Sequence, residues 1–128
     1  MTENELAAIA IEICFKIHRE LGPGLLESIY EAAFVYELET LNIPFTRQEG
    51  IQVYYQGIPL GIGFKADLIL DNKLILELKS VEMFQKLHHK IILNYMKLKK
   101  IKLGLLINFN VALMKDGIHR KILGRIED

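Results

Sequence analysis

The chain carries a single cysteine, Cys14, among 128 residues, so an internal disulfide is excluded. In a stretch of helical periodicity that residue reads as small apolar filler, and a reducing, cytoplasmic compartment is expected. The opening Met1-Thr2-Glu3-Asn4-Glu5 lacks the positive start of a signal peptide. No apolar run approaches the length needed to cross a bilayer, so no membrane partner is expected. Internal repeats, low-complexity tracts and linkers are also missing. With 51% hydrophobic residues, the chain reads as one domain over residues 1–128 with one core.

Net charge is absent too, since 16 Lys and Arg balance 16 Asp and Glu. The balance hides a polarity. Met1 to Gln85 holds 13 acidic and 6 basic residues, whereas Lys86 to Asp128 holds 3 acidic and 10 basic. A basic face gathers polyanions and an acidic cluster gathers a metal. Two oppositely charged halves also attract each other within a fold, and the sequence leaves both readings open.

What is present centres on Ala66 to Glu82. Two runs of branched apolar residues flank a polar Asp71-Asn72-Lys73 break, the pattern of a β-hairpin. Asp67, Glu77 and Lys79 interrupt those runs, and an unpaired charge in an apolar layer costs several kcal/mol. If Asp71 to Lys73 form a three-residue loop, with Asn72 or Lys73 left-handed, Leu70 pairs with Leu74 and Asp67 falls opposite Glu77. Alternation then sends Lys79 to the face of Glu77, and Leu76, Leu78 and Ser80 to the other. A two-residue loop separates the carboxylates by a one-residue slip.

Two carboxylates with one backbone carbonyl, that of Leu78, suffice for Mg²⁺ (or Mn²⁺), which keeps several waters. Lys79 then serves an anion, by lowering the pKa of an attacking water or holding a phosphate oxygen. A surface hairpin with an Asp to Lys contact, worth under about 1 kcal/mol, fits the same residues.

Upstream, Thr2 and Glu5 have capping-box spacing, Leu6, Ile9, Ile13 and Ile17 recur at helical intervals to Leu21, and Gly22-Pro23 ends the helix. A second helix is expected from Leu25 to Leu41, turning Leu26, Tyr30, Ala33 and Phe34 to the core, with Ile29 on a surface packed for much of its circumference. Glu27 lies in its first turn, where a carboxylate complements the helix dipole; being three residues from Tyr30, it also reaches toward a cleft if that face is packed.

Strands follow over Gln48 to Tyr55, with Ile51, Val53 and Tyr55 alternating, over Ile58 to Leu70, broken by Pro59, Gly61 and Gly63, and over Leu74 to Ser80. A helix from Phe84 to Lys99 carries Leu87, Ile91, Tyr95 and Leu98 on one stripe with Ile92 beside it. Lys86, Lys90, Lys97, Lys99 and Lys100 surround that stripe. Such a basic helix tracks a phosphate backbone, and Tyr95 either stacks on a base or packs. Adjacent His88 and His89 point in different directions, which disfavours a shared zinc ion. Leu103 to Phe109 is an apolar run of the kind buried on both sheet faces. Asp116-Gly117 marks a turn before a basic tail from Ile118 to Ile126.

Asp67 followed by Glu77-Leu78-Lys79 resembles the signature of the PD-(D/E)XK nuclease superfamily, with Ala66 where the name has its proline. Gly24-Leu25-Leu26-Glu27-Ser28-Ile29-Tyr30 matches the motif of the GxxExxY proteins, a family placed in that superfamily. The spacing to the hairpin and the segment Leu103 to Asn110 are similar as well, so the resemblance covers nearly the whole chain. It implies an α/β fold with a restriction-endonuclease-like αβββαβ core: a mixed sheet flanked by helices, an extra N-terminal helix and a short C-terminal hairpin.

The implied activity is metal-dependent phosphodiester hydrolysis in DNA or RNA, with Asp67 and Glu77 on the metal, Glu27 near it, and Lys79 acting on water or phosphate. Nucleic acid is the implied partner, along Lys86, Lys90, Tyr95, Lys97 and Lys100; a homodimer is a further one. Many relatives place a glutamine four residues before the tyrosine of that helix, where this chain has Ile91; His88 fits the family. An inactive nucleic-acid-binding module and a protein-interaction domain remain as alternatives.

Overall fold

A computed structural model describes residues 1–126. The elements run α1 (Glu3–Leu21), α2 (Glu27–Thr40), β1 (Phe45–Tyr55), β2 (Ile58–Leu70), β3 (Leu74–Lys79), α3 (Lys86–Lys99), β4 (Leu103–Asn108), a 3₁₀ turn (Met114–Gly117) and β5 (Ile118–Ile122). The sheet has the order β1-β2-β3-β4-β5. β3 and β4 are parallel, joined across α3, and every other neighbouring pair is antiparallel. No helix among the described residues is long and apolar enough to cross a membrane.

Alternation along β3 decides what each layer buries. Leu74, Leu76 and Leu78 join Leu6, Cys14, Tyr30, Phe34 and Leu38 under α1 and α2. Ile75, with Ile69 of β2 and Leu106 of β4, meets Ile92, Tyr95 and Met96 of α3 on the opposite face. Each such aliphatic side chain withdrawn from water contributes about 1.5 to 3 kcal/mol, which is why strands apolar on both sides occupy the sheet's centre. Burial pushes the Cys14 thiol well above its ordinary range, so it acts as filler.

Local signals account for the element ends. Thr2 N–H donates to Glu5 Oε1 at 2.9 Å and Glu5 N–H to Thr2 Oγ1 at 3.1 Å, the reciprocal box that starts α1. The β2–β3 loop gives Leu70↔Leu74, Ile69↔Ile75 and Leu68↔Leu76, the expected register. Its left-handed residues are Asp71 (φ 48°) and Asn72 (φ 53°), not Lys73. Asp and Asn tolerate that region because their short polar side chains bond locally.

Several expectations change. Leu26 is 74% exposed as the N-cap of α2, and Ile29 is exposed beside it, so the buried positions are Tyr30, Glu31, Phe34 and Leu38. Only Ile51 of the β1 triplet is buried, because β1 and β2 extend past β3 as a two-stranded arm where Tyr55 has nothing to pack on. α3 buries Ile92, Tyr95 and Met96, while Leu87 is 61% exposed and Leu98 also lies outward. Rotating the apolar stripe this way brings Met96 onto Gly104, the β4 residue that lets α3 approach the sheet. The C-terminal hairpin is the one β5 makes by folding back on β4.

Two glycines test that packing. A Cβ on Gly117 would overlap the Asn108 carbonyl oxygen, a backbone atom, whereas one on Gly104 would meet the movable Met96 Sδ at 2.8 Å. Gly117→Ala is expected to cost about 3 kcal/mol and Gly104→Ala about 1 kcal/mol, read as urea midpoints. Negligible costs at both positions would show that neither approach constrains the sheet.

Candidate active site

The β2–β3 ladder ends at Leu68↔Leu76. Beyond it, side chains bond where backbone groups paired before. Asp67 N–H donates to Glu77 Oε1 at 3.2 Å, and Leu78 N–H donates to Asp67 Oδ2 at 2.8 Å. The carboxylates of Asp67 and Glu77 thus meet at the mouth of a splayed strand pair. Glu77, 4% exposed, and Lys79 project toward α3, as alternation from Ile75 requires.

Electrostatics makes this pair costly in its ionised form. Burial pushes the Glu77 carboxyl from the ordinary 4.5 up to about 9, and the Asp67 charge adds to the rise. Burial also raises Asp67, against the Leu78 N–H, Lys79 and Gln48, which favour its charged form. Two crowded carboxylates of this kind share a proton or a cation.

Beside them is a cavity of about 60 Å³ lined by Glu77, Lys79, His88, Ile91, Ile92, Tyr95 and Leu106. His88 Nδ1 accepts the Gln85 N–H at 2.9 Å, which caps α3 and leaves the Nε2 hydrogen for another acceptor. Burial, then the charges of Glu77 and Asp67, push the Tyr95 hydroxyl up to about 12. Its ring stacks on Phe64 with centroids 3.9 Å apart and is almost covered. Tyr95 is therefore a wall of the cavity, not a platform for a base. Ile91 gives the same wall no polar group.

Glu27 is not gathered with the pair. Its Oε2 accepts the Ser80 N–H at 3.2 Å, just past the end of β3, while Ser80 Oγ donates to the Leu25 carbonyl at 2.7 Å. Tyr30 completes this clamp: its hydroxyl donates to the Gly22 carbonyl and accepts the Leu25 N–H, and its ring lies on Phe109. Among the described residues, no three His, Cys, Asp or Glu come together as a metal-holding group. Lys86, Lys90, Lys97 and Lys100 are exposed, the first three on α3 and the last as its C-cap, whereas Lys99 pairs with Glu49 at 2.5 Å.

Three residues that the sequence reading passed over stand behind Asp67. Glu31, 8% exposed, accepts Arg47 Nε–H and Gln48 Nε2–H, each at 2.7 Å, and Gln48 Nε2 also donates to Asp67 Oδ1 at 3.1 Å. Glu31 had a readable signal, since it stands three residues before Phe34 and seven before Leu38 on the buried stripe of α2. Buried Asn108 ties down the chain after Lys79, donating to the Val81 carbonyl at 2.8 Å and accepting the Val81 N–H at 3.1 Å.

A mixed five-stranded sheet flanked by three helices, with two carboxylates and a lysine where its second and third strands part, defines an α/β protein of restriction-endonuclease-like fold. The family model for the PD-(D/E)XK nuclease superfamily matches residues 4–121, and the chain belongs to that superfamily. No curated protein and no solved structure matches it.

The raised Glu77 value sets a pH dependence. A carboxyl whose folded value exceeds its unfolded one contributes stability in full below about pH 4.5, and that contribution is lost as pH climbs toward about 9. Urea unfolding in a chelator is expected to show declining stability across this window, with a much flatter profile for Glu77→Gln. A flat wild-type profile would count against a buried, crowded pair.

Proposed function

We propose that the protein is a metal-dependent nuclease hydrolysing phosphodiester bonds in DNA or RNA, and that it falls in the GxxExxY group of its superfamily. The observation that carries the reading is the Asp67–Glu77 pair beside Lys79 at the mouth of a small cavity. The donor chemistry fits Mg²⁺ or Mn²⁺: two hard carboxylates that burial and mutual repulsion leave in need of positive charge. The Leu78 carbonyl would join them, since in an extended strand it points the same way as the Leu78 N–H that meets Asp67. Bound there, such an ion supplies positive charge to phosphoryl oxygens.

The chain's own groups do the rest. Lys79 presents its ammonium to the cavity, where it orients the attacking water or stabilises charge on a phosphate oxygen. Glu27 acts through the backbone, holding Ser80 and so the strand end that carries Lys79. Exposed Lys86, Lys90, Lys97 and Lys100 attract the polyanion. The uncharged β1–β2 arm exposes Tyr54, Tyr55, Ile58, Leu60 and Ile62 and is the surface a homodimer would use. A nucleic-acid substrate and a reduced Cys14 suit a cytoplasmic location.

A panel of single- and double-stranded DNA and RNA incubated with Mg²⁺ or Mn²⁺ tests the proposal. Cleavage is expected to need the ion, and Glu77→Ala and Lys79→Ala to lower kcat by about a hundredfold or more while binding changes little. Unchanged turnover in either variant would sink the assignment. Apolar Ile91 in the cavity wall favours a second reading, a binding module without catalysis, which predicts binding and no cleavage by the wild type.

The basic residues have a separate readout. Each phosphate neutralised releases counterions, so replacing Lys86, Lys90, Lys97 and Lys100 by glutamine is expected to flatten the dependence of log affinity on log salt, by up to about 0.9 per lysine on duplex DNA. An unchanged slope would place the polyanion elsewhere.

A further inference from the structure

Gln48 has a backbone φ of 54°, in the left-handed region, inside an eleven-residue strand. Residues with a Cβ seldom adopt that conformation, and such outliers persist where the surroundings enforce them. The break falls opposite Asp67. β1 pairs with β2 at Arg47↔Leu68 and again at Glu49↔Ala66, with no Gln48↔Asp67 pair between them.

The side chain explains what the distortion achieves. Gln48 Nε2 donates to Glu31 Oε1 at 2.7 Å and to Asp67 Oδ1 at 3.1 Å. Both neighbours are carboxylates, which only accept when ionised, so the NH₂ end of the amide must face them and each takes one of its hydrogens. Arg47 Nε, 2.7 Å from Glu31 Oε2, holds the other side of that acid. Gln48 is thus the link between a carboxylate anchored on α2 and the carboxylate at the splayed strand end.

For Asp67 the consequence is a fixed plane. Leu78 N–H occupies one lone pair of Oδ2 and Gln48 one lone pair of Oδ1, so rotation about the last side-chain bond is blocked and each oxygen keeps one lone pair for a further ligand. Without Gln48, one oxygen would remain tethered and the plane would turn about it. We propose that Gln48 is a positioning residue, which holds the Asp67 carboxylate in the orientation a divalent cation needs and relays that restraint from Glu31. The inference rests on the nuclease reading for its catalytic consequence, although the restraint on Asp67 stands apart from it.

Gln48→Gly separates this role from a structural one, because glycine accepts the left-handed backbone freely while losing the amide. The full chain is used, with MnCl₂ titrated calorimetrically, urea midpoints measured, and kcat and KM determined on whichever oligonucleotide the wild type cleaves. The variant is expected to match or exceed wild-type stability, to bind Mn²⁺ about tenfold to a hundredfold more weakly, and to lose kcat by a similar factor with KM changed less than about threefold. Gln48→Asn also tolerates the backbone but is too short to span both acids, so it should behave alike; it replaces Gln48→Gly should that protein fail to fold. Wild-type Mn²⁺ affinity and kcat in a folded variant would overturn the proposal.

A wild type that neither binds Mn²⁺ nor cleaves would defeat the nuclease reading instead. In that case crystal structures of the wild type and Gln48→Gly decide. One Asp67 rotamer in the former and several in the latter would support the restraint, and a single shared rotamer would refute it.

Discussion

The backbone ladder between β2 and β3 stops at Leu68 and Leu76, and the molecule's chemistry is arranged around that stop. A continued ladder would give the Leu78 N–H a β2 carbonyl, and a Gln48↔Asp67 pair between β1 and β2 would do the same for Asp67. Carboxylates accept both N–H groups instead, which answers the requirement that buried N–H groups be paired while bringing two acids to the centre of the sheet. Apolar packing on both faces makes the ionised pair costly, and the buried leucines and isoleucines around it supply the stability that offsets that cost.

Each layer contributes to holding the strands apart. On one side, Tyr30 stacked on Phe109 and Glu27 bound to Ser80 N–H hold the start of α2 against the end of β3. On the other, Gly104 admits α3 closely enough for Tyr95, His88 and Ile91 to roof the space above Glu77 and Lys79. The GxxExxY stretch is therefore a fastening in this structure. Its glutamate and tyrosine place their hydrogen bonds on the backbone at Gly22, Leu25 and Ser80, which ties the start of α2 to the end of the strand that carries Lys79.

What was legible in the sequence was whatever depends on period and on local turn chemistry. The hairpin register followed from Leu70 and Leu74 flanking a three-residue loop, and that register places Asp67 next to Glu77. The exposure of Leu26, Leu87 and Leu98 was not legible, because a three-residue spacing fits two neighbouring helix faces and only packing against a specific sheet selects one. Glu31 was half visible, an acid on an apolar stripe. Gln48 gave no sign at all: a polar residue in a strand looks the same whether it faces water or bridges two carboxylates, and its left-handed backbone is enforced by contacts from α2 and β2 that lie far off in sequence.

The charge polarity of the chain acquires a physical meaning from the topology. Asp67 and Glu77 belong to the acidic half, and α3, which opens the basic half, roofs the cavity with His88, Ile91, Ile92 and Tyr95, so its lysines lie outside the space that Glu77 and Lys79 line. Mutual attraction explains a part of it, since Lys99 is spent on Glu49. It does not explain Lys86, Lys90, Lys97 and Lys100, which remain exposed around the same helix. Charges that serve only to hold two halves together end up paired at their junction. These four lysines stay in water on and just after α3, so their positive field faces solvent instead of cancelling against the acidic half.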